Sequence, residues 1–217
     1  MRHAIRISTV ALGSGLGAIV CTLGYAGVQE NAPEKPENEG VRTVDLSEGV
    51  PEEWLEDSIK PRERFDGMVG ERAPEIMGLT WTNTDPLSID ELEGSPVLLY
   101  FWSATCGRCA AMVDDLNALH ELYAEEDGLV ILGVCMSYTD GDAYAQAVRE
   151  EGMNYPVCRD RAGQTSFAYK TDGTPDFYLI DGEGTLRIAD MTDESVLPAV
   201  LSILREEDEK REQPSEE

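Results

Sequence analysis

The sequence predicts an α/β domain with a central mixed sheet flanked by helices. Residues 96–102 and 129–135 are continuous apolar runs, the mark of strands buried on both faces. Each is followed by a stretch with helical rather than alternating spacing. A third apolar run, residues 177–180, meets the turn Asp181-Gly182-Glu183-Gly184 and returns over 185–189, which adds a hairpin to the sheet. Strand, helix, strand, helix, hairpin and final helix in that order make an α/β sandwich, and no internal repeat interrupts it.

From the N-terminus, Arg2 and Arg6 precede an uncharged stretch over 7–28. Its length suits a bilayer-crossing helix, which needs about 20 residues. Gly24-Tyr25-Ala26 also offers a small-x-small cleavage site. Residues 1–28 therefore read as a signal peptide or a membrane anchor, and both place the body outside the cytoplasm. A lipid-modified Cys21 fits less well, because bulky Val20 precedes it. Residues 29–65 read as an acidic, proline-containing linker, with Pro51 placed to start one short helix. The domain itself is expected over 66–206, followed by an acidic tail over 207–217.

Within the domain, Met112, Leu116, Leu119 and Leu122 space out a helix over 106–125. Asp140 caps a helix reaching about Glu151, residues 155–158 form a short extended piece, and a last helix covers 193–205.

The chain carries 17 Lys and Arg against 43 Asp and Glu, a net charge of −26. Such a surface repels nucleic acid and anionic headgroups, so neither is expected as a partner. Its five cysteines are too sparse for a disulfide scaffold, so the fold must rest on a hydrophobic core.

Cys106-Gly107-Arg108-Cys109 is the spacing that needs a chemical explanation. A Cys-x-x-Cys pair serves redox exchange, half of a zinc site, or haem attachment when His follows. Ala110 follows here, and no second Cys-x-x-Cys or His pair supplies further zinc ligands, so no metal is expected. The pair sits where a buried strand turns into a helix, and unpaired amides at a helix start stabilise a thiolate at Cys106. Arg108 adds positive charge close in sequence. Cys106 is then the attacking sulfur, and Cys109, about one turn on, the resolving one.

These residues also carry a resemblance. Phe101-Trp102-Ser103-Ala104-Thr105-Cys106-Gly107-Arg108-Cys109 resembles the Phe-Trp-x-x-x-Cys-x-x-Cys segment of thioredoxin-like proteins. Thr174-Pro175, ahead of Leu179-Ile180-Asp181, resembles their cis-proline loop. Residues 70–76 and 87–92 resemble the N-terminal hairpin of the TlpA/ResA-type thiol:disulfide oxidoreductases of the AhpC/TSA-redoxin superfamily, and 141–170 their added element before the proline. The likeness spans roughly 66–206. It implies a thioredoxin-like fold and a cis Pro175 beside the sulfurs, with Thr174 pairing to an extended substrate and Trp102 shaping the site. It further implies no cofactor beyond the redox-active Cys106–Cys109 disulfide. The partners it implies are cysteine-containing exported proteins, apocytochrome c among them, and a membrane thiol-electron donor.

The chain departs from the family at Met112, where related proteins often carry Glu, and at Tyr100, where thioredoxins bury Asp. Asp176, directly after the proline, would oppose a nearby thiolate. Cys135 and Cys158 read as buried free thiols, or as a second disulfide if their strands lie side by side. A peroxiredoxin-like peroxidase is the competing enzyme reading, though the proline expected ahead of its cysteine is missing. A copper-delivery module of related fold would need a downstream His, and none follows His120.

Overall fold

The computed structural model describes residues 40–56 and 61–212. The leader over 7–28 with Cys21, most of the Pro-rich stretch and residues 213–217 lie outside them. The chain forms β1 (Gly78–Thr82), β2 (Val97–Trp102), α1 (Gly107–Ala111), α2 (Val113–Tyr123), β3 (Val130–Cys135), α3 (Gly141–Glu150), β4 (Val157–Asp160), α4 (Gln164–Ala168), β5 (Asp176–Ile180), β6 (Leu186–Met191) and α5 (Val196–Glu212). The six strands form one mixed sheet in the order β1-β4-β3-β2-β5-β6. Strands β2, β3 and β4 are parallel, while β1, β5 and β6 run against their neighbours.

Every residue of β2 is buried, which explains its unbroken apolar sequence at the sheet centre. Alternation splits the strand between two cores. Leu98, Tyr100 and Trp102 pack with Cys109, Val113, Leu116, Tyr144, Val200 and Ile203, beneath the helices. Val97, Leu99 and Phe101 face the other way, with Phe65, Ile76, Ile89, Tyr169 and Tyr178. Asp140 caps α3 as its sequence position predicts, its Oδ1 accepting from the amides of Asp142 and Ala143 at 3.0 and 2.9 Å.

Gly133 lets β3 lie close to its neighbours. A methyl there would stand 2.9 Å from Val157 Cγ1 and 3.2 Å from the Trp102 indole nitrogen. Gly133→Ala is expected to lower stability by about 1–3 kcal/mol through overpacking, measured by urea unfolding. No change would show that this core accommodates the methyl.

Several boundaries differ from the expectation. The helix over 106–125 breaks at Met112, whose amide bonds back to Cys109 O at 3.1 Å in a tighter turn. That carbonyl also accepts from the Tyr100 hydroxyl at 3.1 Å, which anchors α1 to the sheet beneath it. The expected N-terminal hairpin over 70–92 is absent. Arg72 bridges to Thr185, β1 pairs with β4 alone, and residues 90–92 form a single 3-10 turn.

Part of the expected linker is structural. The Val44 amide donates to Ser202 Oγ at 3.0 Å, Arg205 Nη2 donates to Val44 O at 2.7 Å, and Leu46 and Trp54 are buried. Residues 41–55 thus form a strap along α5, because apolar side chains recur among the polar ones. The expected acidic tail is helical to Glu212: its charges pair along the helix, Lys210 with Glu207 and Arg211 with Asp208, both at 3.0 Å.

Candidate redox site

Strand β2 ends at Trp102 and the chain turns through residues 103–105 into α1. Cys106 caps that helix in an extended conformation (φ −89°, ψ 103°), and its Sγ accepts from the Cys109 amide at 3.1 Å. The Cys106 and Cys109 sulfurs are bonded at 2.05 Å, with Cα atoms 5.2 Å apart. Cys106 is only partly buried, whereas Cys109 is 1% exposed. The two sulfurs therefore differ in access, and an amide hydrogen is already directed at the accessible one.

The Thr174–Pro175 peptide bond is cis. Antiparallel pairing of β5 with β2 sets Asp176 opposite Phe101, so Thr174 and Pro175 adjoin the end of β2 from which the cysteine loop leaves. Strands β2, β3 and β4 all end on this side, and the Met136 amide donates to Trp102 O at 2.8 Å, drawing the loop after β3 toward it. Trp102 itself is 1% exposed, with its ring 5.9 Å from Tyr144. It offers no face to a substrate, because it points into the core under the helices.

Arg108 is exposed and its guanidinium is engaged by Asp193 at 3.0 Å and Glu56 at 3.3 Å. The hydrogen bond and charge of Asp193 raise its pKa first, and those of Glu56 add to the effect. Its charge is thus shared with two carboxylates, which weakens the sequence-based expectation of direct thiolate support. Tyr100 is fully buried, stacks on Phe177 at 4.9 Å, and burial drives its hydroxyl far above the ordinary tyrosine value. It acts as a neutral donor to Cys109 O. Asp114 and Asp115 are exposed on α2.

Asp176 does not oppose the sulfurs as its sequence position suggests. It alternates with Phe177, which lies in the core beneath the helices, and so faces the other side of the sheet with Tyr178. There Tyr178 Oη donates to its Oδ2 at 3.0 Å. Burial first, and then the charge of Asp190, pushes the Asp176 carboxyl up to about 8.

Cys135 and Cys158 are free and buried. In the parallel pairing Cys158 is opposite Val134, and Cys135 is opposite Arg159. That offset of one residue sends the two thiols to opposite faces, one into each core. The strands do lie side by side, yet the register forbids a disulfide. Burial pushes the Cys135 thiol up to about 11, against hydrogen bonds from Thr139 and the Ala104 amide, and raises Cys158 further. The contact between Cys135 and the loop before Cys106 had no sequence signal, since it depends on register alone. The same holds for the partners of Arg108, which lie 85 and 52 residues away.

A family model described as AhpC/TSA matches residues 69–189. Among curated proteins, the chain is 30% identical over 124 residues to Protein DipZ of Mycobacterium tuberculosis, covering 53% of this chain and 18% of that one. It is 30% identical over 102 residues to the thiol-disulfide oxidoreductase ResA of Oceanobacillus iheyensis, covering 46% of this chain and 51% of that one. The chain thus spans about half or less of the length of these relatives. Among solved structures, a thiol-disulfide isomerase from Corynebacterium glutamicum aligns with a TM-score of 0.52 and 26% identity, over 61% of this chain and 95% of that one. A thioredoxin-like protein in its oxidised form aligns with a TM-score of 0.56 at 23% identity, over 63% of this chain and 96% of that one, a likeness of fold.

Proposed function

The chain belongs to the AhpC/TSA family, and from that premise we propose that it is a thiol–disulfide oxidoreductase acting outside the cytoplasm on cysteine pairs of exported proteins. The carrying observation is the unequal pair, a partly exposed Cys106 bonded to a buried Cys109 at a helix start. In the reduced protein the Cys106 thiolate attacks one sulfur of a substrate disulfide. A mixed disulfide forms and one substrate thiolate leaves. Cys109, having given up its proton, then attacks the Cys106 sulfur. The second substrate thiolate departs, and both electrons of the substrate's reduction have come from the two protein thiols.

An external dithiol must return those electrons, and a membrane thiol-electron donor fits that requirement. Thr174 would pair through its backbone with the extended substrate beside Pro175, while Trp102 and Arg108 shape the surroundings. Apocytochrome c is one exported substrate of suitable chemistry. The location outside the cytoplasm is supported by Arg2, Arg6 and the uncharged stretch 7–28. Among the described residues no helix is long and apolar enough to cross a membrane, so the proposed attachment rests on 7–28 instead.

Insulin-disulfide reduction by the parent protein and by Cys106→Ser tests the reading, with peroxide turnover as the parallel assay. The parent is expected to reduce insulin and Cys106→Ser to fall to the uncatalysed rate. Peroxide turnover without disulfide exchange would replace this reading with a thiol peroxidase.

A further inference from the structure

We propose that Asp176 is a proton-operated latch behind the substrate loop: protonated, it ties residues 171–175 to β5 and β6, and ionised, it drives that loop away and weakens substrate docking. This rests on the disulfide-exchange reading only for its effect on substrate. The groups around Asp176 come from every element packed there. Tyr178 on β5 donates to its Oδ2 at 3.0 Å, and Thr171 Oγ1 lies 3.3 Å from the same hydroxyl, so a hydrogen-bonded chain runs from the loop to the carboxyl. Asp190 on β6 and Asp172 in the loop each present an oxygen within 4.8 Å of the Asp176 carboxyl and of one another. From the turn at Arg62–Phe65, Arg64 Nη2 reaches Asp190 at 2.8 Å and Asp172 at 3.2 Å, and Arg62 Nη1 reaches Asp190 at 3.5 Å. Lys170 directs its ammonium to the Arg64 carbonyl.

One carboxyl in this set has an oxygen with nowhere to go. Asp176 is 2% exposed and its Oδ1 has no hydrogen-bond partner. A buried carboxylate in that position is costly, whereas a carboxylic acid uses the same oxygen to donate toward its acidic neighbours. Burial first, and then the charges of Asp190 and Asp172, favour the protonated form and outweigh the Tyr178 hydrogen bond, which favours the ionised one. Ionisation sets a third negative charge against Asp190 and Asp172. Asp190 is fixed within β6, but Asp172 belongs to the loop leading to Thr174 and Pro175, so the repulsion acts on the segment that docks substrate.

The test uses the full chain. The Asp176 carboxyl carbon and the amides of 171–174 are followed by NMR in the oxidised protein from about pH 5 to about pH 9, with KM and kcat for insulin reduction over the same range. Asp176→Asn, a neutral isostere, and Tyr178→Phe are measured alongside. The carboxyl is expected to titrate above the ordinary carboxylate range, with the loop amides shifting at the same midpoint. KM should rise about fivefold or more through it, the lower range of coupling between sites, whereas the dependence of kcat on the Cys106 thiolate should be common to parent and Asp176→Asn. Asp176→Asn should abolish the pH dependence of both loop and KM, and Tyr178→Phe should move the midpoint. An Asp176 carboxyl that titrates in the ordinary range, or a KM profile unchanged in Asp176→Asn, overturns the latch. Absence of any disulfide exchange would remove the function proposed above, and the NMR titration would still decide whether the latch exists.

Discussion

Cys109→Ser is expected to turn a fleeting mixed disulfide into a lasting one, leaving substrate proteins covalently held on Cys106. In the parent, the buried Cys109 sulfur stands within bonding distance of Cys106 and needs no diffusion to attack it. Removing it leaves resolution to external thiols, so the mixed disulfide should outlive its normal span by on the order of 10³-fold or more, given the effective molarity of a well-placed intramolecular nucleophile. Non-reducing electrophoresis of Cys109→Ser recovered from cells should show adducts that disappear with reductant. Cys106→Ser should show none. Capture by Cys106→Ser and not by Cys109→Ser would reverse the assigned roles and contradict the difference in exposure.

Arg64→Gln should be among the most destabilising single changes on the opposite face. The Arg64 side chain is 11% exposed and bridges Asp172 and Asp190, the latter 4% exposed. Deleting one partner of such a buried set leaves uncompensated charge, a loss of about 3–5 kcal/mol at neutral pH. The parent's own stability depends on pH through the neighbouring Asp176. Asp176 has its folded pKa raised above the unfolded value, so it takes up a proton on folding. Its stabilising contribution is complete below the ordinary carboxylate range and is lost as pH rises toward about 8. Urea titrations of the parent at acid and neutral pH, and of the variant at neutral pH, check both statements. A loss below about 1 kcal/mol in Arg64→Gln would show that the buried carboxylates hold without the guanidinium.

What the sequence revealed and what it concealed divide along physical lines. The runs that became β2, β3 and β5 were legible because burial on both faces leaves a continuous apolar stretch. Cys106 at the start of α1 and Asp140 at the start of α3 were legible because capping is local. Partners distant in the chain were not. Nothing near Arg108 announces Asp193 or Glu56, and nothing near Asp176 announces that strand alternation turns it away from the sulfurs. The helix break at Met112 follows from a hydroxyl on another element, Tyr100, reaching the Cys109 carbonyl. The C-terminal charges look solvated when only counted, but their spacing of three and four lets them pair on a continuing helix. The strap over 41–55 was hidden because its apolar residues are too scattered to show a period.

The one-residue offset between Cys135 and Cys158 gives the molecule a clock of its own. Each thiol is sealed in a separate core, so an alkylating reagent reaches it only when that core opens, whereas the reduced Cys106 lies at the surface and is modified at once. Three rates on one chain then separate the reactivity of the cysteine pair's surface sulfur from the opening of the layer on either side of the sheet. A difference between the Cys135 and Cys158 rates would tell which face yields first, with no probe introduced and no residue changed.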